Sequence, residues 1–222
     1  LTGEKSLSME DSFKNALCVG PSGLGKTTCS ILPTLLRTSK ASVALFDPSG
    51  EIYEKTSGYF ASRGYRIQVF DPNNPRQSDG YNSLKRANTS TEIQKLSSMH
   101  IATQLEQGGS GGDRYWNLSA KNLLATACQV IKAQPEEYHT MSNVRHFLLN
   151  IETSSQEADR LVSRVKDSKV FNEYRAFLSM DSKLRTSILS TALAALDMYN
   201  DDDVAYLTSH DSIDMDLRKE KT

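Results

Sequence analysis

Residues Gly20-Pro21-Ser22-Gly23-Leu24-Gly25-Lys26-Thr27 fit the pattern G-x-x-x-x-G-K-[ST] at every specified position. The spacing has a physical basis. Glycines let the backbone wrap with its N–H groups turned inward, and the helix that follows aims the positive end of its dipole at the same place. Lys26 is then placed to reach β- and γ-phosphates, and the Thr27 hydroxyl to ligate Mg²⁺. Four specified positions match by chance in on the order of one per cent of chains this long. The surroundings agree: the apolar run Ala16-Leu17-Cys18-Val19 leads in, and Ser30 to Leu36 continues as a helix.

The residues around this loop predict an α/β layout with a parallel sheet. Ser42 to Phe46 is strand-like and stops at Asp47-Pro48, Glu51 to Arg63 can be helical, and Tyr65 to Phe70 is strand-like and stops at Asp71-Pro72. In such sheets the ligand crevice lies beyond the carboxyl ends of the strands, where Gly20, Asp47 and Asp71 would sit. Phosphate chemistry also needs an acid for Mg²⁺, and two readings stay open for Asp47: a strand-end metal ligand, or a cap at the turn. Asp71 reads better as a turn residue, and Glu51 as the start of a helix.

From about Asn88 the period changes. Trp116, Ala120, Leu123, Leu124, Ala127, Val130 and Ile131 recur at helical spacing, Ser142 is the expected N-cap of Asn143 to Leu149, and further stripes run to Leu196. Four to six helices without an intervening strand predict an all-α block. Gly108-Gly109-Ser110-Gly111-Gly112 reads as a flexible loop before the first long helix, whether native or an inserted linker.

Charge narrows the function. The whole chain of 222 residues has 26 basic and 27 acidic side chains. Residues 1–88 carry 11 basic and 8 acidic groups, 89–200 carry 12 of each, and 201–222 carry 3 and 7, so no segment offers the basic face that autonomous DNA binding requires. No window approaches eighteen uninterrupted apolar residues, and the first residues do not read as a signal segment. Three cysteines at no ligand spacing suit a reducing compartment. Cys29 reads as a packed small residue and Trp116 as core. The four histidines do not read as ligands, and Asp201-Asp202-Asp203 reads as a solvated helix end or cap.

The order of motifs resembles a known family. After the loop come Ile31 to Leu36, Asp47-Pro48-Ser49-Gly50-Glu51, Gly64-Tyr65-Arg66 leading to Val69-Phe70-Asp71-Pro72, and Tyr81-Asn82-Ser83-Leu84. Tyr115-Trp116 with Leu123-Leu124, then Ser187 to Leu196 and Asp214-Met215-Asp216-Leu217-Arg218, continue the likeness. This is similar to the TraG/TraD-type coupling proteins of type IV secretion and conjugation systems. The resemblance implies a RecA-like P-loop parallel sheet with an inserted all-α domain. Residues 1–88 would be the first half of the nucleotide-binding domain, 89–200 the all-α domain, and 201–222 a return toward the first domain.

It further implies a hexameric ATPase at the cytoplasmic side of the bacterial inner membrane, delivering DNA or protein substrates to the secretion channel. By that likeness Gly20, Pro21, Ser22, Gly23, Leu24, Gly25, Lys26, Thr27 and Thr28 bind ATP, with Thr27 on Mg²⁺. Its partners would be the secretion machinery and relaxosome or effector proteins, with DNA engaged by the full hexamer and the membrane by a segment outside this chain. Two departures matter. Ser49 stands where the family usually has lysine, and the family's Walker-B acid pair would follow a strand starting just beyond Thr222. The chain then reads as a fragment without its own Walker-B acid, its catalytic residues unassigned. Two other readings stand beside it: a complete small P-loop nucleotide or metabolite kinase using Asp47, and a helical protein-binding module that nucleotide merely stabilises.

Overall fold

The computed structural model describes residues 17–21, 23–38, 41–106 and 114–216. They fall into two compact units. The smaller comprises the described residues up to Gln68 together with 214–216, and the larger is Val69–Ile213. Ser22 and the glycine loop at 108–112 lie outside the described residues.

In the smaller unit a π-helical turn, Thr27–Ile31, runs straight into α1 (Leu32–Arg37), and α2 spans Glu51–Ser62. Helix α2 buries Ile52, Thr56 and Phe60, one stripe at four-residue spacing. Its end explains Gly64. The Gly64 N–H donates to the Ala61 carbonyl at 3.0 Å and the Tyr65 N–H to the Phe60 carbonyl at 3.1 Å, with Gly64 at φ 78°. This is a Schellman stop, which needs a left-handed residue that glycine adopts freely. The accompanying apolar contact is present, with the Phe60 and Tyr65 rings edge to face at 5.0 Å. These two rings, Leu35 and Ile52 form the small core, with Leu32, Val43 and Tyr59 packed on it.

The expected parallel sheet is not there. Among the described residues there is no strand, and the structure is all-α. The apolar runs at 17–19, 43–46 and 67–70 are extended, yet no backbone ladder joins them among the described residues. A parallel strand must be covered on both faces, whereas Phe46 is 92% and Val19 83% exposed. Val43 alone of the first two runs packs on the small core. The short apolar runs fix an extended backbone locally without fixing a neighbour to pair with.

The larger unit is built around α5 (Arg114–Lys132). Its middle turns are buried nearly all round: Leu123, Leu124, Ala125, Ala127, Cys128, Val130 and Ile131. A helix apolar on every side belongs at the centre of a bundle. It packs against α4 (Ser90–Glu106), α6 (Met141–Thr153), α8 (Ser168–Leu178) and α9 (Ser182–Ala194). Shorter pieces close the rim: α3 (Ser83–Arg86), α7 (Ser155–Val162), α10 (Asp202–Leu207) and 3₁₀ turns at Pro75–Gln77, Glu136–Tyr138 and Asp197–Asn200. Trp116 packs against this core, as its place on the stripe implies.

Polar side chains start these helices. Thr89 and Glu92 form a capping box at α4: the Glu92 N–H donates to the Thr89 hydroxyl at 3.2 Å, and the Thr89 N–H returns to the Glu92 carboxylate at 2.9 Å. Hydrogen bonds from Thr89 and Asn88 hold the Glu92 carboxyl below its usual range. Helix α6 is capped by Thr140, which accepts from the Asn143 N–H at 3.1 Å, two residues before the expected Ser142. The buried positions Met141 and Val144 decide this, because the helix must already be running at 141 to turn both inward. No helix among the described residues is long and apolar enough to cross a membrane.

One buried imidazole sits in this core. His100 Nδ1 lies 2.8 Å from the Leu96 carbonyl, so Nδ1 carries the proton, and Nε2 accepts from the Tyr199 hydroxyl at 2.9 Å. Burial lowers the His100 pKa and pushes the Tyr199 phenol up to about 12. A folded-state imidazole value below the unfolded one contributes stability that is lost as protons bind the unfolded chain. Thermal melts followed by circular dichroism should therefore show stability falling as pH drops through about 6.5, the ordinary imidazole value, toward the lowered folded value. His100→Gln should flatten that part of the profile; an unchanged slope would show that another group sets it.

Candidate phosphate-binding loop

The loop takes its shape from two left-handed glycines, Gly23 at φ 82° and Gly25 at φ 77°. Both conformations are strained for other residues. At Gly25 a side chain would also meet the Cys29 sulfur, 3.3 Å from an added Cβ. The Cys29 N–H donates to the Gly25 carbonyl at 2.7 Å and starts the helix. Among the described residues no acceptor meets the N–H groups of Lys26, Thr27 or Thr28, and no side chain caps this end. Three adjacent donors at the positive end of a helix make an anion-binding arrangement.

Lys26 folds back over the loop. Its ammonium donates to the carbonyls of Gly20 and Pro21, each at 2.7 Å. Gly20 packs beside the stem of Lys26, with an added Cβ 3.8 Å from its methylenes. Thr27 is half-buried, while Thr28, Leu24 and Pro21 are exposed. Cys29 is exposed rather than packed, because the helix turns it away from the small core that Leu35 enters. Thus Gly20, Pro21, Gly23, Leu24, Gly25, Lys26, Thr27 and Thr28 form one local structure in the smaller unit.

Asp47 lies in the same unit, and its carboxylate is occupied. Oδ2 accepts from the N–H groups of Ile52 at 2.8 Å and Tyr53 at 2.9 Å, while Oδ1 accepts from the Ser49 hydroxyl at 3.2 Å. Gly50, at φ 71°, allows the tight entry that brings these donors round. The aspartate satisfies the start of α2. Glu51 is the first residue of α2 and pairs with Lys55 at 2.5 Å along the helix. Asp71 belongs to the larger unit, where it turns the chain by accepting from the Asn74 side chain at 2.8 Å and the Asn73 N–H at 2.9 Å. Those bonds, the Asn74 side chain first, hold its carboxyl below the usual range.

The remaining candidates have structural partners. His139 is buried with Nε2 2.8 Å from the Gln134 carbonyl, and His210 Nδ1 lies 3.1 Å from the Tyr206 carbonyl. Asp201 caps α10, accepting from Asp203 and Val204 N–H groups at 3.0 Å. Among the described residues no three His, Cys, Asp or Glu side chains gather as a metal-ligand set.

The sequence motif Tyr81-Asn82-Ser83-Leu84 gains a role that its residue types alone did not suggest. Asn82 is 2% exposed and makes a hub. Its oxygen accepts from the Lys85 N–H at 2.9 Å, and its amide donates to the carbonyls of His139 at 2.8 Å and Ser209 at 3.2 Å. Arg86, stacked on the Tyr81 ring at 4.8 Å, donates through Nε to Asp211 at 2.9 Å.

With a glycine-rich loop in one unit and a helical bundle in the other, comparison with known proteins identifies the class. The chain belongs to the family described as type IV secretory system conjugative DNA transfer, whose model matches residues 2–222. No curated protein sequence matches the chain.

The two readings of Asp47 predict different outcomes. Asp47→Ala should weaken the start of α2 by about 1 kcal/mol. Hydrogen exchange of the α2 amides should accelerate accordingly. Unchanged α2 protection, combined with weaker Mg²⁺-dependent nucleotide binding, would reassign the carboxylate to the metal.

Proposed function

We propose that the chain is the ATP-binding portion of a conjugative coupling ATPase. The observation that supports this most is the loop at 20–28. It combines the complete motif, two left-handed glycines and a run of first-turn N–H groups without a described acceptor. In this reading the N–H groups of Lys26, Thr27 and Thr28 hold phosphate oxygens. Lys26 exchanges its two neutral carbonyl partners for anionic ones, because charge-assisted hydrogen bonds are the stronger. Thr27 supplies a hydroxyl to Mg²⁺, which when bound would neutralise charge on the phosphates. Asp47 is assigned here to the start of α2, its Oδ2 taking two N–H groups and its Oδ1 the Ser49 hydroxyl.

Within the family's setting, the work of the ATPase is the delivery of DNA or protein substrates to a type IV channel at the cytoplasmic side of the inner membrane. Relaxosome or effector proteins are the partners we assign to the helical bundle. Its even count of 12 basic and 12 acidic groups over 89–200 suits protein partners better than a bare phosphate backbone. DNA contact is assigned to the assembled hexamer.

Fluorescent ATP titrations test the nucleotide reading. Lys26→Ala should lower affinity by about ten- to a hundredfold, the worth of one charge-assisted hydrogen bond. Thr27→Ala should remove most of the benefit of added Mg²⁺. Wild-type affinity in Lys26→Ala would overturn the site.

A further inference from the structure

The chain changes unit twice, between Gln68 and Val69 and again between Ile213 and Asp214. On the larger unit's side, one carboxylate holds both passages. Asp79 Oδ2 accepts from the N–H of Val69 at 2.9 Å, and Asp79 Oδ1 accepts from the Ser212 hydroxyl at 2.8 Å. Val69 is the first residue of the outgoing run, and Ser212 is the second-last of the returning run.

The surrounding bonds reinforce this pairing. The Asp79 N–H donates to the Val69 carbonyl at 2.8 Å. The Gly80 N–H donates to the Ser212 hydroxyl oxygen at 2.9 Å, while the Ser212 N–H donates to the Gly80 carbonyl at 3.1 Å. The Ser212 hydroxyl thus serves both runs, donating once and accepting once. Arg86 adds a charged pair to Asp211 and a hydrogen bond from Nη2 to the Ile213 carbonyl. Glycine at position 80 is a steric requirement: an added Cβ would lie 2.5 Å from the His210 ring and 2.7 Å from its carbonyl oxygen. On the smaller unit's side, the Gln68 carboxamide accepts from the Asp214 N–H at 2.7 Å and donates to the Asp214 carbonyl at 3.1 Å.

We propose that the two passages form a single hydrogen-bonded tether keyed by Asp79, in which 69–82 and 207–213 open and close as one element. Two independent linkers would fray separately, each at the stability of its own few contacts. Here a run that lifts away must break bonds belonging to the other run, so displacement of either passage is borne by both. Within the larger unit the two runs therefore form a paired strap whose opening is a single event. This inference does not depend on the nucleotide reading.

Hydrogen exchange on the full chain, without nucleotide, tests it. Ser212→Ala removes the donor to Asp79 and the acceptor for Gly80 at an exposed residue, and Asp79→Asn removes the doubly accepting carboxylate at constant size. In both variants the amides of 69–82 and 207–213 should exchange roughly tenfold faster, together, while α5 keeps its protection. Ser212→Thr, which keeps the hydroxyl, should restore near-wild-type rates in both runs. Acceleration confined to the substituted run, no acceleration at all, or equal rates in Ser212→Ala and Ser212→Thr would overturn the proposal. Should Asp79→Asn fail to fold, the two Ser212 variants decide alone.

Discussion

The larger unit depends on the burial of the middle and C-terminal turns of α5. A helix that is apolar round its middle turns gains its burial energy only if every face meets another helix, and α4, α6, α8 and α9 supply those faces. Polar groups carried into that centre are then constrained to pair. Thr126, 3% exposed, donates to the Asn122 carbonyl and approaches the Glu173 carboxylate, both at 3.0 Å. Burial pushes the Cys128 thiol up to about 12, so it packs as a neutral small side chain. The carboxyl end of α5 is sealed in the same way. Gln134 donates to the carbonyls of Val130 at 2.9 Å and Leu161 at 3.1 Å, and its own carbonyl takes the His139 ring nitrogen.

This constraint accounts for how much of the bundle is legible in the residue pattern. A period of three to four over 116–131 can be read directly, and α5 spans that stretch. Helix α2 spans Glu51–Ser62, against an expected Glu51 to Arg63, because its buried stripe and its glycine stop are both local signals. Cap positions were less legible. Thr140 and Ser142 have equivalent chemistry, and the choice falls to Thr140 through the burial of Met141, which depends on helices far away in the chain. Among the described residues the expected sheet does not form because an apolar run of four or five residues carries a backbone preference but no information about a partner. The extended runs at 43–46 and 67–70 have that preference and lack the ladder among the described residues.

The glycine-rich loop takes its described geometry from neighbours a few residues away, the opposite case. Left-handed conformations fall on Gly23 and Gly25, and Lys26 reaches the carbonyls of Gly20 and Pro21 across a chain separation of only six and five residues. Nothing distant has to cooperate for that shape to form. Asn82, Asp79 and Ser212 are the contrary case. They meet partners more than a hundred residues away, so residue type alone does not announce them.

The acids show what a strand-end aspartate signifies when no sheet surrounds it. Asp47, Asp167, Asp181 and Asp201 each accept backbone N–H groups at the start of a helix, and Asp71 does the same in a turn. A carboxylate is the strongest side-chain acceptor for these orphan donors and complements the helix dipole as well. An aspartate that ends an apolar run and precedes a helix therefore has a backbone claim on its oxygens before any metal competes for them. At Asp47 that claim is met by two N–H groups on one oxygen and a hydroxyl on the other. A divalent ion on Oδ1 would compete with the Ser49 hydroxyl alone, whereas one that displaced the two N–H groups from Oδ2 would leave the first turn of α2 unsatisfied, at a cost in stability. Thr27, whose hydroxyl is not needed to start its helix, carries no such cost. Under the proposed nucleotide reading, Thr27 is the residue of the smaller unit assigned to the cation, and Asp47 the one that satisfies the start of α2.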